Sequence, residues 1–197
     1  MTALPLTLLL GLAGGCTSPG GTPDPSPSPN AAPTPLANLN TEAMDLARVE
    51  FCDLLPDAAV ADALGGTVAD TRHYASGDEA ELVPGTVDVA HEFHCEFVAA
   101  DGSLARAWVF DRPVSSGEAT GMVRSAGRQG GCDVSDEAGF GEPGYVVACD
   151  DGGRVTAGGL VAETWLTCEL STQASDGLAD RARAWCAQVI NAINTTR

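Results

Sequence analysis

The chain has 197 residues and carries 27 acidic against 10 basic side chains, which gives a formal net charge of −17 at pH 7. The electrostatic field of so large a negative charge repels phosphate backbones and anionic lipid head groups, which argues against nucleic acid as a partner. With the first ~40 residues set aside as non-globular, the remainder is long enough to bury one hydrophobic core, which predicts a single domain.

The first fifteen residues have the composition of an export signal. Residues 3–13 form an apolar run (ALPLTLLLGLA) that is shorter than the ~20 residues needed to cross a bilayer. The run leads into AGGC, which resembles the lipobox of bacterial lipoproteins, where small residues precede the cysteine that receives diacylglycerol. The resemblance implies a signal peptide over residues 1–15 and a lipid on Cys16. An ordinary secretory peptide followed by a coincidental cysteine is the alternative.

A proline-rich segment follows the predicted lipid site. Residues 17–40 contain seven prolines among small and polar residues, with few apolar side chains that could drive collapse. Such a segment is expected to be extended and solvated, and at ~3.1 Å per residue it spans up to roughly 75 Å. We therefore predict that residues 16–41 comprise the lipidated cysteine and a disordered tether, and that residues 42–197 form one extracytoplasmic domain.

The first elements of the folded part are predicted to be two helices and a hairpin. Residues 41–55 have helical propensity, and residues 56–64 begin with a proline and end before Gly65, as short helices do. Strands are expected over residues 82–112, where HEFHCEFV and LARAWVFDR alternate with period two. The DGS turn at residues 101–103 joins these two segments into a predicted β-hairpin.

Two further helices are predicted in the second half. Ser115 and Glu118 have the spacing of a capping box, which indicates a helix over residues 116–126. Apolar residues recur at steps of three and four after Asp176, which is the pattern of an amphipathic helix.

A second group of strands is predicted over residues 145–170. The alternation there places Leu160 on the same face as Leu166 and Leu170. The order of helices and strands predicts an α+β fold with a mainly antiparallel sheet, helices packed on one face and stabilisation by disulfides.

The seven cysteines divide into Cys16 in the leader and six in the folded part. An even set in an exported chain indicates disulfides formed in an oxidising compartment. Sequence does not choose among the pairings, but we favour neighbours in order: Cys52–Cys95, Cys132–Cys149 and Cys168–Cys186. No two of the six have the close CxxC spacing typical of structural zinc, so no metal site is predicted.

Three segments carry a resemblance to a family. They are CDLLPDAAVADALGG at residues 52–66, CEF at residues 95–97 and AGFGEPGYVV at residues 138–147. Together with the lipobox and the proline-rich segment, they resemble uncharacterised actinobacterial lipoproteins, which follow such a stalk with a small cysteine-containing domain. The resemblance implies location and general architecture, and it implies no chemistry.

Candidate catalytic and metal motifs are weak. In HEFH, His91 and His94 lie three apart on a predicted strand and so face opposite sides, which disfavours a metal pair. His91 would share a face with Cys95, whereas His94 would lie beside Glu92 and Glu96. GFGEPG at residues 139–144 matches GxGxxG, but it contains Pro143 and precedes strands, so a loop is favoured over a dinucleotide site. No GxSxG elbow accompanies the histidines, of which His73 is the third, and no spacing singles out a carboxylate pair.

Function is predicted from the anchor, the tether and the lack of a reactive motif. We expect a surface lipoprotein on the outer face of the cell membrane that acts as a non-catalytic binding or envelope-associated module, without cofactor. Its partners would be the membrane through the lipid, and an envelope protein, a wall polymer or a small ligand. Trp108, Trp165 and Trp185 are expected in the core, with a carbohydrate platform as the alternative. A lipid-anchored hydrolase of envelope material is the alternative function, and it needs a cleft with a perturbed carboxylate or histidine.

Overall fold

A computed structural model describes most of the folded part of the chain. The described residues are 36, 39–83, 85–128, 130–135, 140–149, 153–173 and 176–196. They belong to the compact unit of residues 33–197, in which Leu36 is already buried. The predicted signal peptide, Cys16 and most of the predicted tether lie outside the described residues. No helix in the described ranges is both long enough and apolar enough to cross a bilayer.

The described residues form an antiparallel sheet, a separate hairpin and three helices. The strands are β1 (Val68–Tyr74), β2 (Glu79–Val83), β3 (Thr86–Val89), β4 (Glu92–Ala99), β5 (Leu104–Phe110), β6 (Cys132–Ser135), β7 (Gly144–Cys149), β8 (Arg154–Val161) and β9 (Thr164–Ser171). The helices are α1 (Asp57–Leu64), α2 (Ser116–Ala126) and α3 (Leu178–Ile193). Seven strands pair in the order β1–β4–β5–β9–β8–β7–β6, and β2 pairs with β3. The predicted α+β class with a mainly antiparallel sheet is confirmed.

The main core lies between the sheet and the helices α1 and α3. Alternate residues of β5 and β9 point into it, and α3 adds the buried side chain of Trp185. The Trp185 indole packs edge-on against Phe97 with the ring centroids 6.0 Å apart, and its Nε1 donates to the Arg106 carbonyl at 2.8 Å. The face of the sheet that carries these contacts is called the helix-covered face below.

Helix α2 packs on the opposite face of the sheet. In β7, Val146 belongs to the main core, whereas its neighbours Tyr145 and Val147 join a smaller cluster with Ala119 of α2 and with Trp165. The expectation of helices on one face therefore holds for α1 and α3 but not for α2. The reason is that β7 carries bulky apolar side chains on both faces, so both faces must be covered.

A tight turn reverses the predicted face of Leu160. The turn joins β8 to β9 and pairs Leu160 with Trp165, with Ala162 at φ 51° inside it. Leu160 therefore joins the smaller cluster, while Leu166 lies in the main core. Simple alternation fails here because it assumes one continuous strand, and the chain instead folds back on itself.

The predicted helix over residues 41–55 is wrong. Only two short 3-10 turns form there, at Thr41–Ala43 and Cys52–Leu54. Between them the backbone pairs with the C-terminal segment, where the Ala47 amide donates to the Ile193 carbonyl at 2.8 Å. Tertiary pairing of the backbone has overridden a weak local propensity.

Strand β1 was absent from the sequence prediction. Six of its seven residues are exposed, so it shows no alternation of apolar and polar residues. It lies at the edge of the sheet and pairs with β4 over the intervening hairpin of β2 and β3. An exposed edge strand carries no hydrophobic pattern from which it could be recognised.

Two disulfides connect separate segments of the fold. Cys52 is joined to Cys95, which ties the segment before α1 to β4, and Cys132 is joined to Cys149, which ties β6 to β7. Both bridges join neighbouring cysteines in sequence order. Disulfide stabilisation of the domain, expected from the even cysteine count, is thus confirmed.

The third favoured pair does not form a bridge. Cys168 of β9 and Cys186 of α3 are both reduced and fully buried in the main core. Burial raises the pKa of the Cys168 thiol, and its contact with Cys186 adds to this effect. The two sulfurs pack as small apolar groups of the main core.

Candidate functional site

Strands β1, β4, β5 and β9 carry polar and aromatic side chains on the face that α1 and α3 do not cover. The strand register sets these residues in two parallel rows across the sheet. The aromatic row consists of Tyr74, His94 and Trp108. The charged row consists of Arg72, Glu96, Arg106 and Glu169.

The aromatic row is a stack of three rings from three neighbouring strands. The ring centroids of Tyr74 and His94 lie 4.6 Å apart, and those of His94 and Trp108 lie 5.1 Å apart. The Tyr74 hydroxyl donates to Glu92 Oε1 at 3.0 Å, which fixes the edge of the stack. Directly opposed residues on adjacent strands pack in this way, so the row is built by the register alone.

Neither titratable ring of the row carries a charge at neutral pH. Burial lowers the pKa of His94 to about 4, against a smaller opposing effect of Glu96. Burial and the neighbouring Glu92 raise the pKa of Tyr74 well above its usual value. His94 Nδ1 is buried and has no hydrogen-bond partner among the described residues.

The charged row alternates positive and negative side chains. Arg72 Nη1 lies 3.1 Å from Glu96 Oε1, and Arg106 Nε pairs with the other oxygen of Glu96. Arg106 Nη1 lies 3.2 Å from Glu169 Oε1, and the Thr156 hydroxyl donates to Glu169 Oε2. Because each charge has an opposite neighbour, the row is fixed in position without adding a large local field.

The aromatic row and three members of the charged row, Arg72, Glu96 and Arg106, border a cavity of about 330 Å³, which we call the sheet cleft. Glu81 and Leu82 of β2 form a further wall. The hairpin therefore stands beside this part of the face that α1 and α3 do not cover, which we call the open face. The volume is near the lower end of the ~300–1,000 Å³ typical of small-molecule sites. Aromatic walls combined with a few fixed polar groups are the usual lining of such sites.

A second cavity of about 420 Å³ lies at the β1 edge of the sheet. His73, Asp53 and Glu50 are among its lining residues, next to the Cys52–Cys95 disulfide. None of the three histidines forms a hydrogen bond or ion pair with a carboxylate within the described ranges. The same part of the chain contains no group of three side chains placed to hold a metal ion.

The two histidines of the HEFH segment are used differently. His91 is exposed just before β4, whereas His94 stacks in the aromatic row. Of the three tryptophans, Trp165 and Trp185 are buried, as predicted for core residues. Trp108 is half-buried and lines the sheet cleft, so it alone of the three is available to a ligand.

The described part of the glycine-rich segment, residues 140–144, serves packing. Gly141 has φ 67°, and a Cβ there would lie 2.6 Å from the Leu160 carbonyl oxygen. The described residues of this segment lead into β7, and no helix N-terminus follows that could hold a phosphate. Gly139 lies outside the described residues.

Sequence reasoning missed most of the sheet cleft. It placed His94 beside Glu92 and Glu96 on one side of β4, but it did not bring Arg72 or Tyr74 to them. The alternating polar positions of β4 were the one sequence feature that indicated a polar face at this strand. Strand β1 could not be recognised from the sequence, so the residue that it contributes to each row could not be predicted.

No protein-family model, curated protein or solved structure matches this chain. The resemblance to actinobacterial lipoproteins therefore stays a prediction.

Proposed function

We propose that this chain is a membrane-anchored surface lipoprotein, acting on the outer face of the cell membrane as a non-catalytic binding module. Lipid on Cys16 would anchor it, the proline-rich tether would hold the domain away from the bilayer, and the sheet cleft would receive the ligand. An envelope protein, a wall polymer or a small molecule would be the partner. Two chains of a diacylglyceryl group anchor a protein far more firmly than one acyl chain does.

One observation carries the binding assignment. The sheet cleft joins an uncharged aromatic row to a charged row in which every member is already paired. Such an arrangement is ready to accept a ligand without reorganising, which lowers the entropy cost of binding. The two disulfides support an oxidising location, since such bonds persist outside the cytosol.

The alternative hydrolase receives less support from this geometry. A general acid or base needs a pKa near the working pH and reach to a substrate proton. Glu96 is clamped between Arg72 and Arg106, and His94 has its pKa lowered to about 4 by burial. Both groups are thus better suited to holding the cleft in shape than to moving protons.

The anchor is tested by metabolic labelling with an alkyne analogue of palmitate. We expect the full-length chain to be labelled and to remain in the membrane fraction. A Cys16→Ser variant should not be labelled and should be lost from that fraction. Equal labelling of the two chains, or no labelling of either, would refute the anchor.

The binding role is tested with delipidated cell envelope from the organism that expresses the chain. The full-length protein in detergent should bind this material saturably, and Trp108→Ala should weaken the binding because it removes the half-buried wall of the sheet cleft. Arg183→Gln on α3 serves as the control, because its ion pair with Asp180 lies on another element. An absence of saturable binding would refute the binding function.

A further inference from the structure

We propose that the sheet cleft binds a neutral, polyhydroxylated ligand, namely a carbohydrate segment of the cell envelope. This inference rests on the proposed binding function and names the chemical class of its ligand. It follows from the charge balance of the charged row, the lack of charge in the aromatic row and the position of the hairpin beside them.

The charge balance of the cleft argues against ions as ligands. An anion would meet Glu96 between the two guanidinium groups, and a cation would meet Arg72 and Arg106 on either side of that carboxylate. In both cases the ligand would be repelled by a like charge directly next to the group that attracts it. The acidic Glu81 on the hairpin wall and the net charge of −17 further disfavour an anion.

The same row suits hydroxyl groups. Arginine only donates hydrogen bonds and an ionised carboxylate only accepts them, whereas each hydroxyl both donates and accepts. Donor, acceptor and donor groups therefore follow one another in the cleft lining at Arg72, Glu96 and Arg106, on three adjacent strands. A chain of neighbouring hydroxyls can bond to such a sequence without leaving a charge uncompensated.

The aromatic row supplies the apolar part of the site. Sugar rings have an apolar face of C–H groups as well as polar edges, and half-buried aromatic rings commonly pack against such faces. Trp108 and Tyr74 end the stack on opposite sides, and both line the cleft. His94 between them is neutral, because burial lowers its pKa to about 4, so the row adds no charge that would favour an ionic ligand.

In the decisive experiment, the same delipidated envelope is treated with periodate or with pronase before binding is measured. Periodate cleaves sugar residues that carry free vicinal diols, which are the neighbouring hydroxyls that the charged row would bind, whereas pronase removes protein. We expect binding of the full-length chain to fall to background after periodate and to survive pronase. Neutral trisaccharides such as maltotriose, mannotriose and chitotriose are then tested as competitors, with trigalacturonate as the anionic comparison.

Variants locate the binding. Trp108→Ala should lower the affinity for untreated envelope by about tenfold or more, and Trp108→Phe, which keeps an aromatic wall, by less. Arg72→Gln, at a side chain that is 65% exposed and so tolerates change, should lower the affinity several-fold, whereas Arg183→Gln should leave it unchanged.

The outcomes separate this inference from the proposed function. Binding that survives periodate and is lost with pronase would overturn the carbohydrate assignment and leave the binding function standing. Stronger competition by trigalacturonate than by every neutral trisaccharide would overturn the argument from charge balance. If no saturable binding to untreated envelope occurs, the binding function fails and this inference fails with it.

Discussion

The two faces of β5 show how one strand serves two purposes. Ala105, Ala107 and Val109 point to the helix-covered face and are fully buried, whereas Arg106 and Trp108 point to the open face and border the sheet cleft. Consecutive residues thus face either a dry core or a polar site. Because side chains alternate across a strand, the fold can place a site directly on the back of its core without an additional element.

The two faces of the sheet contribute differently to the stability of the fold. On the helix-covered face, removal of apolar surface from water supplies stability at about 25 cal/mol per Å². On the open face, paired charges return little net stability, because the attraction between them is offset by the loss of hydration. The charged row is therefore better explained as a means of holding side chains in fixed positions.

The largest expected effect comes from opening the core on the helix-covered face. Trp185→Ala removes a fully buried indole and should lower the free energy of unfolding by ~3–5 kcal/mol, whereas Trp108→Ala on the open face should cost about 1 kcal/mol. Urea-induced unfolding of both variants measures the difference. Trp185→Phe keeps most of the packing but loses the hydrogen bond to Arg106, and should fall between the two. Equal losses for the two alanine variants would contradict the contrast between the faces.

The next largest effect tests the charged row. Glu96→Gln removes the carboxylate between Arg72 and Arg106, and should lower the free energy of unfolding by about 2–3 kcal/mol because Arg106 loses its nearest counter-charge. Asp70→Asn is the control, and should change stability by less than ~0.5 kcal/mol. The two differ because the Glu96 side chain is 8% exposed and that of Asp70 is 53% exposed. Equal losses of unfolding free energy for Glu96→Gln and Asp70→Asn would contradict the role given to the buried carboxylate of the charged row.

A pH dependence tests the aromatic row. The folded state keeps His94 neutral down to a pKa of about 4, whereas the unfolded chain takes up this proton near pH ~6.5. The unfolded state binds more protons between these values, so stability is complete above pH ~6.5 and is lost as the pH falls towards 4. Allowing for partial exposure, His94 should account for about 2 kcal/mol of that loss.

The comparison is between the wild-type chain and His94→Phe, which retains a stacked ring without a titratable group. The difference in unfolding free energy between pH 7 and pH 4.5 should shrink in His94→Phe and stay as in the wild type for the exposed His91→Gln. An unchanged pH profile in His94→Phe would refute the assignment.

The smallest expected effect concerns the two buried thiols of the helix-covered face. Ellman's reagent should leave Cys168 and Cys186 unmodified in the folded protein, and should detect both after denaturation without reductant. Measurement on Cys16→Ser removes any signal from the seventh cysteine. Failure to detect thiols in the denatured chain would mean that a third disulfide is present after all.

Much of the fold was predictable because its signals are local. The capping box of Ser115 and Glu118 is present and starts α2, and the DGS turn joins β4 to β5 as expected. The apolar spacing of α3 predicted a helix that buries Trp185. Each of these features depends on residues within a few positions of one another, so the sequence contains all the information that is needed.

The sheet cleft was only partly predictable. Period-two alternation set His94 apart from Cys95, and so indicated that one side of β4 is polar. It could not supply Arg72 and Tyr74, because β1 carries no hydrophobic pattern and reaches β4 across the hairpin of β2 and β3. Rows across a sheet depend on strand order and register, and these arise from contacts between distant segments.

The sequence by itself determined the class of the fold, the helices at 57–64, 116–126 and 178–193, and a polar side on β4, since each depends on local spacing. Only the tertiary structure decided that α2 covers the second face, that residues 41–55 pair with the C-terminal segment, and that Cys168 and Cys186 stay reduced. It also brought the two rows together. These outcomes depend on which apolar surfaces remain exposed after the strands have paired. That is decided by packing between distant segments and not by local spacing.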